Sequence, residues 1–181
     1  HEQGQGEEAV QYLELLLDEA PQSEYRLDAY RILATRYAET GQGDRAREIY
    51  RDILSVSPDP EEQQRIHYNL GQAYAADGRT EAAVGHYRQA RTGPDDEIAT
   101  DSALRYARLL FTGQDRAAGA RAVREFITRN PAHPDFEELA TRLVDYYDER
   151  GQQGETVEVL GLLIDEKPDS PRRSEYRYKR A

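Results

Sequence analysis

Cysteine is absent from the 181-residue chain, so neither a disulfide framework nor a thiolate nucleophile or metal ligand is available to it. The redox compartment is left open by that absence. No apolar run approaches the ~20 residues needed to span a bilayer, and no low-complexity tract interrupts the sequence. An ordered, soluble protein is expected. The chain opens on His1 rather than methionine, and no signal-like apolar segment follows, which is the expectation for an excised or processed piece. Lysine is scarce as well: of 24 basic residues only Lys167 and Lys179 are lysines, which speaks to a GC-rich coding sequence more than to a function.

Charge is abundant and uneven. The formal net charge is −11, yet the last eleven residues, PRRSEYRYKRA, hold Arg172, Arg173, Arg177, Lys179 and Arg180 against Glu175, a local +4 that leaves −15 for everything before them. A surface that negative repels phosphate backbones, whose neutralisation by Lys and Arg supplies much of nucleic-acid affinity. Basic protein partners are favoured, and no nucleic acid and no direct membrane insertion are expected.

The stretch GQGDRAREIY, residues 41–50, fits the G-x-G-x-x-G/A phosphate fingerprint through Gly41, Gly43 and Ala46. The same string occurs 37 residues earlier, with Gly4, Gly6 and Ala9 as counterparts. A dinucleotide loop has to follow a strand, whereas both copies here are expected between helices, and Glu7, Glu8 and Asp44 would occupy the first helical turn where a phosphate would sit. Glycine turns account for the motif. Prolines recur at Pro21, Pro58, Pro94, Pro131 and Pro168, spaced 37, 36, 37 and 37 residues apart. Before each lies an amphipathic stretch such as Ala46, Ile49, Tyr50, Ile53 and Leu54. Upstream come one or two of Gly41, Gly43, Gly78, Gly113, Gly151 and Gly154, preceded by a second periodic stretch such as Leu27, Tyr30, Leu33, Ala34 and Tyr37. The unit is helix, glycine turn, helix, proline. A period of this length signals a solenoid whose units bury their apolar faces on one another, with no strands.

The segment YNLGQAYAADGRTEAAVGHYRQA, residues 68–90, resembles a tetratricopeptide repeat through Leu70, Gly71, Tyr74, Ala83, Tyr87 and Ala90. Tyr30, Leu33, Ala34, Tyr37, Ala46, Tyr50 and Pro58 repeat the pattern before it; Ala107, Leu110, Val123, Phe126 and Pro131, then Leu143, Tyr147, Leu160, Leu163 and Pro168, repeat it more weakly after it. The resemblance implies an all-α right-handed superhelix forming a single domain, 1–181: a half repeat at 7–21, repeats at 23–58, 61–94, 97–131 and 134–168, and the start of a further helix at 171–181. The interval exceeds the usual ~34 residues. It is similar to the longer repeats of bacterial envelope proteins of the outer-membrane assembly lipoprotein and Tol-Pal-associated types, which points to the cell envelope (periplasm), with the cytoplasm as the alternative.

What the resemblance implies for function is a non-catalytic scaffold that binds a protein or peptide in its concave groove. No cofactor and no metal are expected. His67, His86 and His133 lack metal-ligand spacing, His67 stands in for a core aromatic, and no nucleophile has a partner. Carboxylate pairs such as Asp95 with Asp96, or Asp145 with Asp148, read as solvated surface, and Tyr30, Tyr37, Tyr50, Tyr74, Tyr87 and Tyr147 as core. The repeat register places Arg31, Thr35, Tyr68, Asn69, Gln72, Arg105, Arg108, Asp145, Asp148 and Glu149 on the groove, polar and basic at one end and acidic at the other. Arg31, Asn69 and Arg105 match by type a clamp that holds a partner's C-terminal carboxylates in such repeats, while Thr35 and Asp101 depart from it. Two alternatives are a self-association module, in which the +4 tail meets the acidic groove of another copy, and the regulatory arm of a larger enzyme.

Overall fold

The computed structural model describes residues 2–57, 59–94 and 96–180, with side chains from Glu8 onward. Pro58 of the proline series, Asp95 of the carboxylate pair and the Glu7 side chain lie outside what is described. Among the described residues there are ten helices and no strand: α1 (Glu2–Glu19), α2 (Arg26–Glu39), α3 (Gly43–Val56), α4 (Pro60–Ala76), α5 (Thr80–Ala90), α6 (Asp96–Thr112), α7 (Arg116–Arg129), α8 (Phe136–Asp148), α9 (Gln153–Glu166) and α10 (Arg173–Arg180). The all-α fold class expected from the repeat is what forms.

Local chemistry sets the helix ends. Asp59 accepts from the Glu61 amide ahead of Pro60 at the start of α4, and Asp115 accepts from the Ala118 amide at the start of α7. Gly41, Gly78 and Gly151 have φ of 75°, 71° and 66°, the left-handed region open to glycine without penalty. After each of them the next amide reaches back to a tyrosine carbonyl: Gln42 to Tyr37 at 2.8 Å, Arg79 to Tyr74 at 2.9 Å and Gln152 to Tyr147 at 2.9 Å. These are Schellman closures. The tyrosine of each closure is also a core residue, so one position ends the helix and fills the space beneath it. Of the other glycines in the repeated motif, Gly43 and Gly154 lie inside the first turns of α3 and α9, and Gly4 and Gly6 lie inside α1. The expectation that the first GQG forms a turn is thereby corrected. A left-handed glycine is needed where a helix stops, and none stops ahead of Gly4 among the described residues.

The chain divides into two compact units, residues 1–102 and 103–181. In unit 1, α1 packs on α2, α2 on α3, α3 on α4 and α4 on α5. Its interior holds Leu33, Ala34, Tyr37, Ala46, Ile53, Leu70, Tyr74, Ala83 and Tyr87. Gly71 is required there, because a Cβ at that position would lie 2.7 Å from the Tyr87 ring. In unit 2, α7 packs on α8, α8 on α9 and α9 on α10, around Val123, Phe126, Phe136, Leu139, Leu143, Leu160, Leu163 and Tyr176. Each large side chain buried this way contributes about 1.5–3 kcal/mol. The charge divides as unevenly as the sequence suggested, though at a different place. Unit 1 has 21 acidic against 10 basic residues, or −11, and unit 2 has 14 against 14 and is neutral.

Candidate partner-binding faces

The first helix of each pair is the one whose outer face the repeat register assigns to a partner. In unit 1 those are α2 and α4. Arg31 on α2 is exposed, but its guanidinium is engaged: Nε donates to Glu62 Oε1 on α4 at 2.5 Å and Nη1 to Asp28 Oδ1 at 2.7 Å. Glu62 is only 4% exposed and also accepts from Ser57 Oγ. Burial pushes its carboxyl up, but the bonds from Arg31 and Ser57 outweigh that and hold it below the usual carboxylate range. The Thr35 hydroxyl folds back onto the Arg31 carbonyl at 3.0 Å. Further along, Tyr68 donates to Asp101 Oδ2 at 2.6 Å and receives Gln72 Nε2 at 2.7 Å. Asn69 points the other way and reaches the Tyr50 hydroxyl at 3.4 Å. Tyr68 and Gln72 therefore form one surface group, while Arg31 and Asn69 are drawn into packing within the unit.

In unit 2 the corresponding helices are α6, from Ala103 onward, α8 and α10. Arg105 is exposed on α6. Arg108 Nη2 lies 3.2 Å from Asp135 and 3.6 Å from Glu138, which ties α6 to the start of α8. Asp145 is exposed, 3.8 Å from Lys179 Nζ on α10, whereas Asp148 accepts from Thr156 Oγ1 at 2.8 Å and fastens α8 to α9. Asp145 and Glu149 also border an open cleft of about 440 Å³ with Phe111, Thr112, Arg116, Arg142 and Tyr146, its aromatic floor covered by the Arg116 guanidinium. The basic tail folds as α10. Tyr176 is 2% exposed and donates to Glu137 Oε1 at 2.8 Å; the bonds from Ser170 and Tyr176 hold that carboxyl below its ordinary range.

Sequence reasoning missed the counter-ions Glu62, Asp135 and Glu138, which only tertiary register brings opposite their arginines. It also missed a histidine pair. His67 on α4 and His86 on α5 meet at 3.0 Å between Nδ1 atoms, and His86 stacks on Tyr74 with ring centroids 5.3 Å apart. Burial, with His67 and Arg51 close by, pulls the His86 imidazolium down to about 4, and burial lowers His67 as well. Unfolding restores the ordinary value near 6.5, so the unfolded chain takes up protons first. Stability is expected to fall between about pH 6.5 and 4, by about 1–2 kcal/mol once solvent screening of the half-exposed rings is allowed for. Urea midpoints measured across that range check this: His86→Phe flattens the slope, and an unchanged slope removes the pair as its source. His133 has a local task, accepting from the Asp135 amide at 3.1 Å and packing edge-on to Phe126. Among the described residues no group of three or more His, Cys, Asp or Glu is placed to hold a metal ion, and no helix is long and apolar enough to cross a membrane.

Antiparallel helix pairs packed on one another within each unit, three of them closed by a left-handed glycine, make up an all-α helical-repeat architecture. Residues 33–97 match the tetratricopeptide repeat family model. No curated protein matches the sequence. Among the solved structures that share the fold are three that match this chain almost from end to end. YrrB, described as a TPR protein with an unusual peptide-binding site, is 14% identical, with 97% of this chain and 84% of that one covered and a TM-score of 0.61. MamA is 15% identical over 92% and 91%, with a TM-score of 0.60. A tetratricopeptide repeat protein from Parabacteroides merdae is 17% identical over 98% and 68%, with a TM-score of 0.63. The sequence match to the family is thus confined to residues 33–97, and for the rest of the chain the likeness is one of fold.

Proposed function

We propose that this chain is a non-catalytic scaffold that binds a segment of another protein on the outer faces of its first-type helices, in a bacterial envelope assembly or secretion complex. The observation that carries the reading is that these helices bury their apolar stripes while exposing Gln72, Arg105 and Asp145, with the half-buried Tyr68 beside Gln72. The peptide-binding site of the similar YrrB fold supports it by analogy, and the repeat interval of 36–37 residues carries the envelope assignment. Partner segments that meet unit 1 are basic, given its charge of −11. Arg31 takes part only by exchanging Glu62 or Asp28 for a partner's carboxylate, and Arg108 only by exchanging Asp135 or Glu138, so Tyr68 and Gln72 are the anchors on unit 1 and Arg105, with Arg108 in support, that on unit 2.

Capture of partners from a native lysate, followed by anisotropy titration of the captured segment, tests this face by face. Tyr68→Ala with Gln72→Ala, and separately Arg105→Glu with Arg108→Glu, are expected to weaken binding about ten-fold, or ~1.4 kcal/mol, in whichever unit the segment occupies. Affinity unchanged in both pairs of variants overturns the proposal.

A further inference from the structure

On α1, Glu8, Tyr12, Leu15 and Glu19 follow one another at intervals of four, three and four residues, which puts them on a single stripe of the helix. All four are exposed, Tyr12 by 73% and Leu15 by 49%, although an aromatic and a leucine side by side gain most from burial. The helix carries no basic residue. At the other end of the sequence, α10 has the opposite character. Its Tyr176 is committed to the interior, and Tyr178, two positions on and so across the helix, is 86% exposed beside Arg177.

We infer that the Tyr12–Leu15 stripe of α1 is a docking surface for α10 of a second copy, with Tyr178 set between Tyr12 and Leu15 and Arg177 facing Glu8 or Glu19. Charge selects this occupant: an acidic stripe with an apolar centre meets a basic helix with an exposed aromatic. The contact joins different surfaces on the two copies, so it extends head to tail or closes into a ring rather than stopping at a symmetric dimer. It uses none of Tyr68, Gln72, Arg105 and Arg108, so it stands apart from the partner-binding proposal.

Sedimentation velocity on the intact chain over a concentration series tests the inference with two variants built from exposed positions. One carries Glu8→Arg and Glu19→Arg, the other Arg177→Glu and Tyr178→Ser; circular dichroism verifies that both remain helical. Wild type is expected to associate, and to do so less as salt rises and the Debye length shrinks from about 10 Å at 0.1 M to about 3 Å at 1 M. Each variant alone is expected to associate at least about ten-fold more weakly. Mixing the two restores association as a 1:1 heterodimer and no larger species, because the intact α10 of the first finds the intact α1 of the second while the altered surfaces at either end stay open. A wild type that stays monomeric throughout overturns the inference. So does association that survives in either variant, or that mixing fails to restore.

Discussion

Gly119→Ala is expected to destabilise unit 2 by about 3 kcal/mol, the upper range for forcing extra volume into a packed interior. On helix propensity alone the change is favourable by about 1 kcal/mol. Sterics decide the sign. A Cβ at Gly119 on α7 would meet the backbone N and Cα of Phe111 on α6, far inside the 3.0 Å limit that real Cβ atoms respect. Backbone atoms have no rotamer to escape into, and Phe111 is itself held edge-on against Tyr146 with ring centroids 5.5 Å apart. The two helices have to separate. For a unit of this size that corresponds to a melting temperature lower by roughly 12–24 °C. Gly154→Ala supplies the contrast, since it lies in α9 with nothing within 4 Å of the new methyl. That variant is expected to gain about 0.5–1 kcal/mol. Thermal melts of the two side by side check the argument; equal and small effects would mean that α6 and α7 do not approach as described.

The second large effect is expected from Arg31→Ala, a loss of about 2–3 kcal/mol from a residue that looks like free surface. Its partner decides the cost. The Glu62 side chain is 5% exposed, so removing Arg31 strands a buried carboxylate with Ser57 as its hydroxyl donor. The deficit depends on pH in a definite sense. In the wild type the lowered Glu62 carboxyl contributes stability above about pH 4.5 that is lost as pH falls through its folded value. In the variant the carboxyl rises instead, so the gap between the two proteins is widest near neutrality and narrows in acid. Arg31→Ala combined with Glu62→Leu is expected to recover most of the loss, because no ion is then left buried. Urea unfolding of the four proteins at pH 7 and pH 4 provides the measurement. An additive double variant would show that the two side chains do not interact. Partner affinity measured on Arg31→Ala alone would mix this instability with any contact Arg31 makes.

How far the sequence could be read is clear from these residues. The helix pairs were legible because period, glycine and apolar spacing coincide in every copy. Tyr37, Tyr74 and Tyr147 were legible as core, and their second duty as the carbonyls that close each helix follows from the glycine four places later. Gly4 and Gly6 misled, because the same three letters meant a turn only where a preceding helix had to stop. The faces were legible only as to which helix carries them. Whether Arg31 points to solvent or to Glu62, and whether Asn69 joins Tyr68 or Tyr50, depends on packing across 31 and 19 residues of sequence, which no local pattern encodes. The His67 and His86 contact across two helices is hidden for the same reason.

The placement of all the excess charge before residue 103 has a mechanical consequence. A cationic surface, whether a resin bead or a basic polypeptide, attracts residues 1–102 more strongly than the neutral unit that follows them. First touch is thereby oriented before any specific side chain is recognised.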